Sequence, residues 1–142
     1  EDAVRGCDIV STVTTASNPL FEADWLSPGT HINAAGSNSL IRREIGEDVL
    51  KCCDVIIVDS IATALREAGD LLPLLEKGRL QVRQLIELGD LLCGRQSGRS
   101  SKEAMTLFES QGMAIQDLAL AAQLVEPAHT AGLGSELPYG LQ

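Results

Sequence analysis

With 142 residues, 44% of them hydrophobic and only 3% aromatic, the chain is one domain's worth of globular sequence whose core must come from Leu, Ile, Val and Ala. Its net charge is −9, and basic residues occur only in small groups such as Arg42–Arg43 and Arg95 to Lys102. That balance argues against nucleic acid and against an anionic membrane surface, since both need a basic patch. No apolar run approaches the ~20 residues of a membrane span, and nothing reads as a signal peptide.

The opening Glu1-Asp2-Ala3 reads as the interior of a helix, as expected of a fragment of a longer protein. Asp8-Ile9-Val10-Ser11-Thr12-Val13 is rich in β-branched residues and predicts a strand ending at Thr14-Thr15. One helical turn is expected within Leu20 to Leu26. After a Pro28-Gly29 turn, Thr30 to Ala35 predicts a second strand, closed by Gly36. Ile41 to Cys53 carries apolar residues at 41, 45, 49 and 50, a helical spacing. Asp54-Val55-Ile56-Ile57-Val58-Asp59 predicts a strand buried on both faces. Ala62 to Ala68 predicts a helix stopped by Gly69, and Leu80 to Leu92 a mixed helical stretch interrupted by Gly89. A weaker strand covers 104–109 and ends at Ser110-Gln111-Gly112. Met113 to Val125 is the best helix, with an apolar face wide enough to meet more than one neighbour. From Pro127 onward the pattern is lost, and a loose tail is expected over 127–142.

Strands alternating with helices in this way imply βα units: an α/β fold with about four parallel strands and a long C-terminal helix. Ligands of such sheets bind outside the carboxyl ends of the strands. Those ends carry Thr14-Thr15-Ala16-Ser17, Ala35-Gly36-Ser37-Asn38, Asp59-Ser60 and Ser110-Gln111-Gly112, all small or polar. Small residues let a ligand approach the backbone, although the same residues also serve simply as turn formers. There is no G-x-G-x-x-G, no P-loop and no metal-binding spacing, so no metal is expected. His31 is expected as a core or edge histidine, His129 as a solvated one, and the scattered carboxylates as no catalytic constellation. Cys7, Cys52, Cys53 and Cys93 form no CxxC pair. They are expected as reduced, mostly buried thiols in a cytoplasmic protein.

A set of segments, in order, resembles the ornithine cyclodeaminase and µ-crystallin family. They are Ala3-Val4-Arg5-Gly6-Cys7-Asp8-Ile9-Val10, Thr14-Thr15, Trp25 to Gly36, Arg43-Glu44-Ile45, Val58-Asp59-Ser60, Glu67-Ala68-Gly69-Asp70-Leu71, Glu87-Leu88-Gly89-Asp90 and Thr106 to Asp117. The resemblance covers residues 1 to about 126. It implies that 1–112 is the second half of a Rossmann-type dinucleotide-binding domain, and that 113–126 is a helix returning to a separate dimerisation domain. It implies NAD or NADP as cofactor, amino acids or cyclic imino acids as substrates, and a homo-oligomer. In the family the glycine-rich loop precedes the matching region, so weak or no cofactor binding is expected of this chain alone.

Carried over by position, Thr14 and Thr15 resemble cofactor contacts. Ala35 and Gly36 resemble backbone beside the nicotinamide, and Ser110 and Gly112 the nicotinamide-side loop. Cyclodeaminases place a catalytic Asp where this chain has Asn38, and a Lys where it has Arg42. The resemblance therefore favours reduction of a carbon–nitrogen double bond, as in ketimine or pyrroline-carboxylate reductases, over cyclodeamination of ornithine. A non-catalytic binding or interaction module is the reading from a different class. Asn38 could alternatively just cap a following helix.

Overall fold

The computed structural model describes residues 1–135 and 137. The chain divides into two units, Glu1–Gly112 and Met113–Gln142. In the first, the β-branched runs form strands β1 (Ile9–Thr12), β2 (His31–Ala34), β3 (Val55–Val58) and β5 (Thr106–Glu109), each inside its predicted range. A further strand, β4 (Leu85–Glu87), lies within the stretch expected to be helical, which brings the parallel sheet to five strands among the described residues. Three residues are too few to display a period of two, which is why β4 leaves no pattern in the sequence. The order is β1-β2-β5-β3-β4 and every pairing is parallel. All five carboxyl ends therefore share one edge.

Alternate residues sort the two faces of the sheet. Val10, Ile32, Leu107, Ile56 and Leu85 occupy one register row and are all buried. They form the core with Ile45, Val49, Leu50, Ala64, Leu71 and Leu74. The opposite face is mixed: Ile57, Phe108 and Ile86 share a row with Ser11 and Asn33, where Asn33 donates to Ser11, and His31 pairs with Asn33 and, at 2.7 Å, with Thr106. His31 is thus a half-buried, hydrogen-bonded strand residue, as expected.

Helices α1 (Glu47–Cys52), α2 (Ile61–Glu67), α3 (Leu72–Glu76) and α4 (Leu88–Leu92) are short. The expected helix over Ile41 to Cys53 is reduced to α1, because the backbone donors before it are spent elsewhere. Arg43 N–H goes to Ala16 O, while those of Glu44 and Ile45 both go to Asp70 Oδ1. Gly89 does not interrupt a helix but lies in the first turn of α4. A 3₁₀ turn at Ala23–Trp25 fills the single turn expected there.

In the second unit, α5 spans Ala114–Thr130. It runs through Pro127, so the loose tail does not begin there. An internal proline costs one backbone hydrogen bond without obliging the helix to end. The stop is Gly132, at φ +64°, followed by a bond from Leu133 N–H to Ala128 O. No residue of α5 is buried, and Ile115, Leu118, Leu120, Leu124 and Val125 are exposed. His129 is exposed in its last turn. The expected tail lies partly outside the described residues, at 136 and 138–142.

The cysteines correct one expectation. All four are free, but Cys52 and Cys93 are exposed and Cys7 and Cys53 half-buried.

Candidate functional site

The carboxyl edge of the sheet is held together by carboxylates that turn inward. Glu44, fully buried, accepts from Thr14 N–H at 2.5 Å with Oε1 and from Gly36 N–H at 2.8 Å with Oε2. One side chain thereby ties the loops that leave β1 and β2. Gly36 has to be glycine here, since a Cβ would run into the Glu44 carboxyl group and Thr14 O. Asp59, at the end of β3, does the same for the loop after β5. Its Oδ2 accepts from Ser110 Oγ (3.0 Å), Gln111 N–H (3.1 Å) and Gly112 N–H (2.8 Å). Gly112 sits at φ +80°, a backbone region that glycine enters without strain, with open space around its α-carbon.

Asp70 and Glu109 complete the set. Asp70 takes the N–H groups of Glu44 and Ile45. Burial still pushes its carboxyl above the ordinary range, with those two hydrogen bonds opposing the shift. Glu109 accepts from Ser37 Oγ and, at 3.2 Å, from Gln111 Nε2. Burial raises it well above the usual value, and the charges of Asp70, Glu44 and Asp59 add to the effect.

The structure brings the residues singled out in the sequence to this one edge. Thr14, Thr15, Ala35, Asn38 and Gly112 are exposed there, and Gly36 is buried beneath them. Arg42 Nη1 donates to Thr15 O at 2.5 Å, which joins two of the candidate positions directly. Ser110 N–H donates to Ala34 O, holding the β5 loop against the end of β2. Asn38 does not cap a helix: residues 38–46 are irregular, and the next helix starts at Glu47.

The joint inward role of Glu44, Asp59, Asp70 and Glu109 is absent from the sequence reading, which treats the carboxylates as scattered. The strand-end positions of two of them were visible, but not the direction of their side chains. Asp59 and Glu109 each end a predicted strand, and each is followed by a serine.

Because Glu44, Asp59 and Asp70 are spent largely on backbone donors and Glu109 on side-chain donors, the edge presents small uncharged residues with the half-buried Arg42 beside them. The edge has no built cradle for the pyrophosphate, because among the described residues no glycine-rich turn leads from a strand into a helix. No group of acidic, His or Cys residues among them is arranged to hold a metal. No described helix is long and apolar enough to cross a membrane.

Comparison with known proteins agrees with this geometry. The sequence profile described as "Ornithine cyclodeaminase/mu-crystallin family" matches residues 1–132. Ketimine reductase mu-crystallin of Macropus fuliginosus is 37% identical over 133 residues, which is 93% of this chain and 39% of that protein. The structure of Thermococcus litoralis Delta(1)-pyrroline-2-carboxylate reductase with NADH and L-proline superimposes with a TM-score of 0.87 at 31% identity. It covers 96% of this chain and 42% of its own. An archaeal alanine dehydrogenase dimer with bound NAD gives a TM-score of 0.84 at 33% identity, over 97% of this chain and 42% of its own. The chain thus spans about two fifths of the length of these relatives.

Proposed function

We propose that this chain, which belongs to the ornithine cyclodeaminase/mu-crystallin family, forms the nicotinamide-facing half of the cofactor domain in an NAD(P)-dependent oxidoreductase of its relatives' length. The substrates are amino acids or cyclic imino acids, and the reaction is hydride reduction of a carbon–nitrogen double bond or its reverse. The homo-oligomeric state follows the same reading, by analogy with the dimeric relative.

The observation that carries the choice of reaction is the chemistry of the carboxyl edge. Cyclodeamination needs a group there that takes a proton from the substrate amine or from water. Glu44, Asp59, Asp70 and Glu109 are buried against backbone and side-chain donors, and the half-buried Glu87 at the end of β4 accepts from Ile61 N–H with Oε1. The outward-facing residue is Asn38, whose amide has no proton-accepting site in the neutral range. Reduction of a preformed imine asks less of this position. Bound NAD(P)H supplies the hydride. Thr14, Thr15, Ala35 and Gly112 leave room for a flat ring against the backbone. On this reading the exposed Asn38 hydrogen-bonds a substrate carboxylate, and Arg42 braces the Thr14–Thr15 turn by holding Thr15 O.

The test is to assay a protein of relatives' length that carries this chain, and its Asn38→Asp variant, on two reactions. These are reduction of a cyclic imino acid with NADH or NADPH, and conversion of ornithine to proline and ammonia. Imine reduction with little cyclodeamination is expected; loss of a proton-transfer group costs about 10²–10⁴-fold in rate. Rapid cyclodeamination by the unmodified protein would overturn the assignment, and absence of both activities would favour a binding module.

A further inference from the structure

Glu109 ends the middle strand of the sheet and is wholly buried. No described salt bridge reaches it. The titratable groups that face it are all carboxyls: Asp70 ahead of α3, Glu44 ahead of α1 and Asp59 at the end of β3. Its polar partners are Ser37, from the turn that carries Asn38, and Gln111, from the loop after β5.

The pairing with Gln111 is incomplete in a particular way. Gln111 Nε2 donates to Glu109 Oε1 at 3.2 Å. The other atom of each planar group, Glu109 Oε2 and Gln111 Oε1, is buried with no hydrogen-bond partner. Two acceptors stranded in this way, one on each partner of an existing hydrogen bond, have a common remedy. A proton on Glu109 Oε2, donated to Gln111 Oε1, closes the two-bond ring that a carboxylic acid forms with a primary amide.

We propose that Glu109 is a positioning residue held as the neutral acid, a proton-dependent latch that fixes the Ser110-Gln111-Gly112 loop through the Gln111 amide and the Asn38 turn through Ser37. Burial among three other carboxyls favours the same protonated form. When the proton is lost, Oε2 has no hydrogen to give Gln111 Oε1, the ring opens, and Gln111 keeps at most one of its two bonds. This deepens the preceding reading, on which it rests, by making the shape of the nicotinamide side of the site depend on pH.

The test uses this chain without cofactor. Infrared spectra at neutral pH should contain a protonated carboxylic-acid carbonyl band that disappears in Glu109→Gln. Hydrogen exchange should show the Gln111 and Gly112 amides losing at least about tenfold in protection as the pH is raised through the titration of that band. Glu109→Gln replaces the acid O–H by an amide N–H, so it keeps the ring and should make the protection independent of pH. Gln111→Ala removes the ring and should leave Gly112 poorly protected at every pH, with the acid band shifted. Absence of the acid band at neutral pH, or protection that does not follow its titration, would overturn the latch. Neither readout needs turnover. The latch therefore stands or falls apart from the imine-reductase assignment, which the activity assay tests by itself.

Discussion

The N–H of Gly36 donates to Oε2 of Glu44 at 2.8 Å, and the same carboxyl group fills the space that a side chain at position 36 would need. The two residues are eight apart in sequence, yet they fix the exit of β2 as one unit. Gly36→Ala should therefore be destabilising by overpacking, by about 1–3 kcal/mol in urea unfolding. A variant as stable as the parent would mean that the loop relaxes freely.

Glu44→Gln tests the charge separately from the packing. The amide retains the size but offers one acceptor in place of two, leaving Thr14 N–H or Gly36 N–H facing a donor. A loss of about 1.5–3 kcal/mol is expected. Faster exchange should be confined to the Thr14 and Gly36 amides and their immediate neighbours.

Stability should fall as the pH rises above the acidic range. Glu109 and Asp70 have folded values above their ordinary 4.5 and 3.8. Between those ordinary values and the elevated ones, the folded chain holds protons that the unfolded chain has released. The contribution is complete below the ordinary values and is lost as the pH rises through the folded ones. The urea midpoint should drop over that window, and Glu109→Gln should flatten the drop. A midpoint that rises with pH over the same window would contradict the burial argument.

The cysteines should differ in reactivity. Cys52 and Cys93 are exposed and should alkylate readily with iodoacetamide. Burial pushes the Cys53 thiol up to about 12, and its Sγ donates to Val49 O at 3.3 Å, so it should react slowly although it adjoins Cys52. Mass spectrometry of the labelled chain distinguishes the two; equal labelling of Cys52 and Cys53 would show that α1 frays at its end.

The isolated chain should bind NADH weakly. On the proposed reading the carboxyl edge meets only the nicotinamide, and no described helix N-terminus follows a glycine-rich turn to take the pyrophosphate. Calorimetry should show no saturation at micromolar concentrations; micromolar affinity would reveal a phosphate site elsewhere in the chain.

Strand positions were legible because runs such as Val55-Ile56-Ile57-Val58 carry the pattern of a buried strand within four residues. The edge positions of Thr14, Gly36, Ser110 and Gly112 followed from knowing where those strands stop. The inward carboxylates were not legible. Whether Asp59 points at a ligand or at Gly112 N–H is decided by a partner 53 residues away. Whether residues 41–46 coil into a helix is decided by Asp70, 26 residues beyond Glu44. The position of Pro127 misled for a related reason: a proline marks a lost donor, whereas the helix actually ends at a glycine that can turn the chain.

The strand order β1-β2-β5-β3-β4 puts the latest of the five described strands in the middle of the sheet. Until residues 106–109 emerge from the ribosome, β1-β2 and β3-β4 are two separate ribbons, each with an unpaired edge where β5 will insert. At about 5–20 residues per second, translation leaves those edges open for seconds. A nascent chain halted before Thr106 should be captured by chaperones and readily cut by proteases. One halted late enough for Glu109 to have cleared the exit tunnel should be resistant, because a single strand insertion joins both halves.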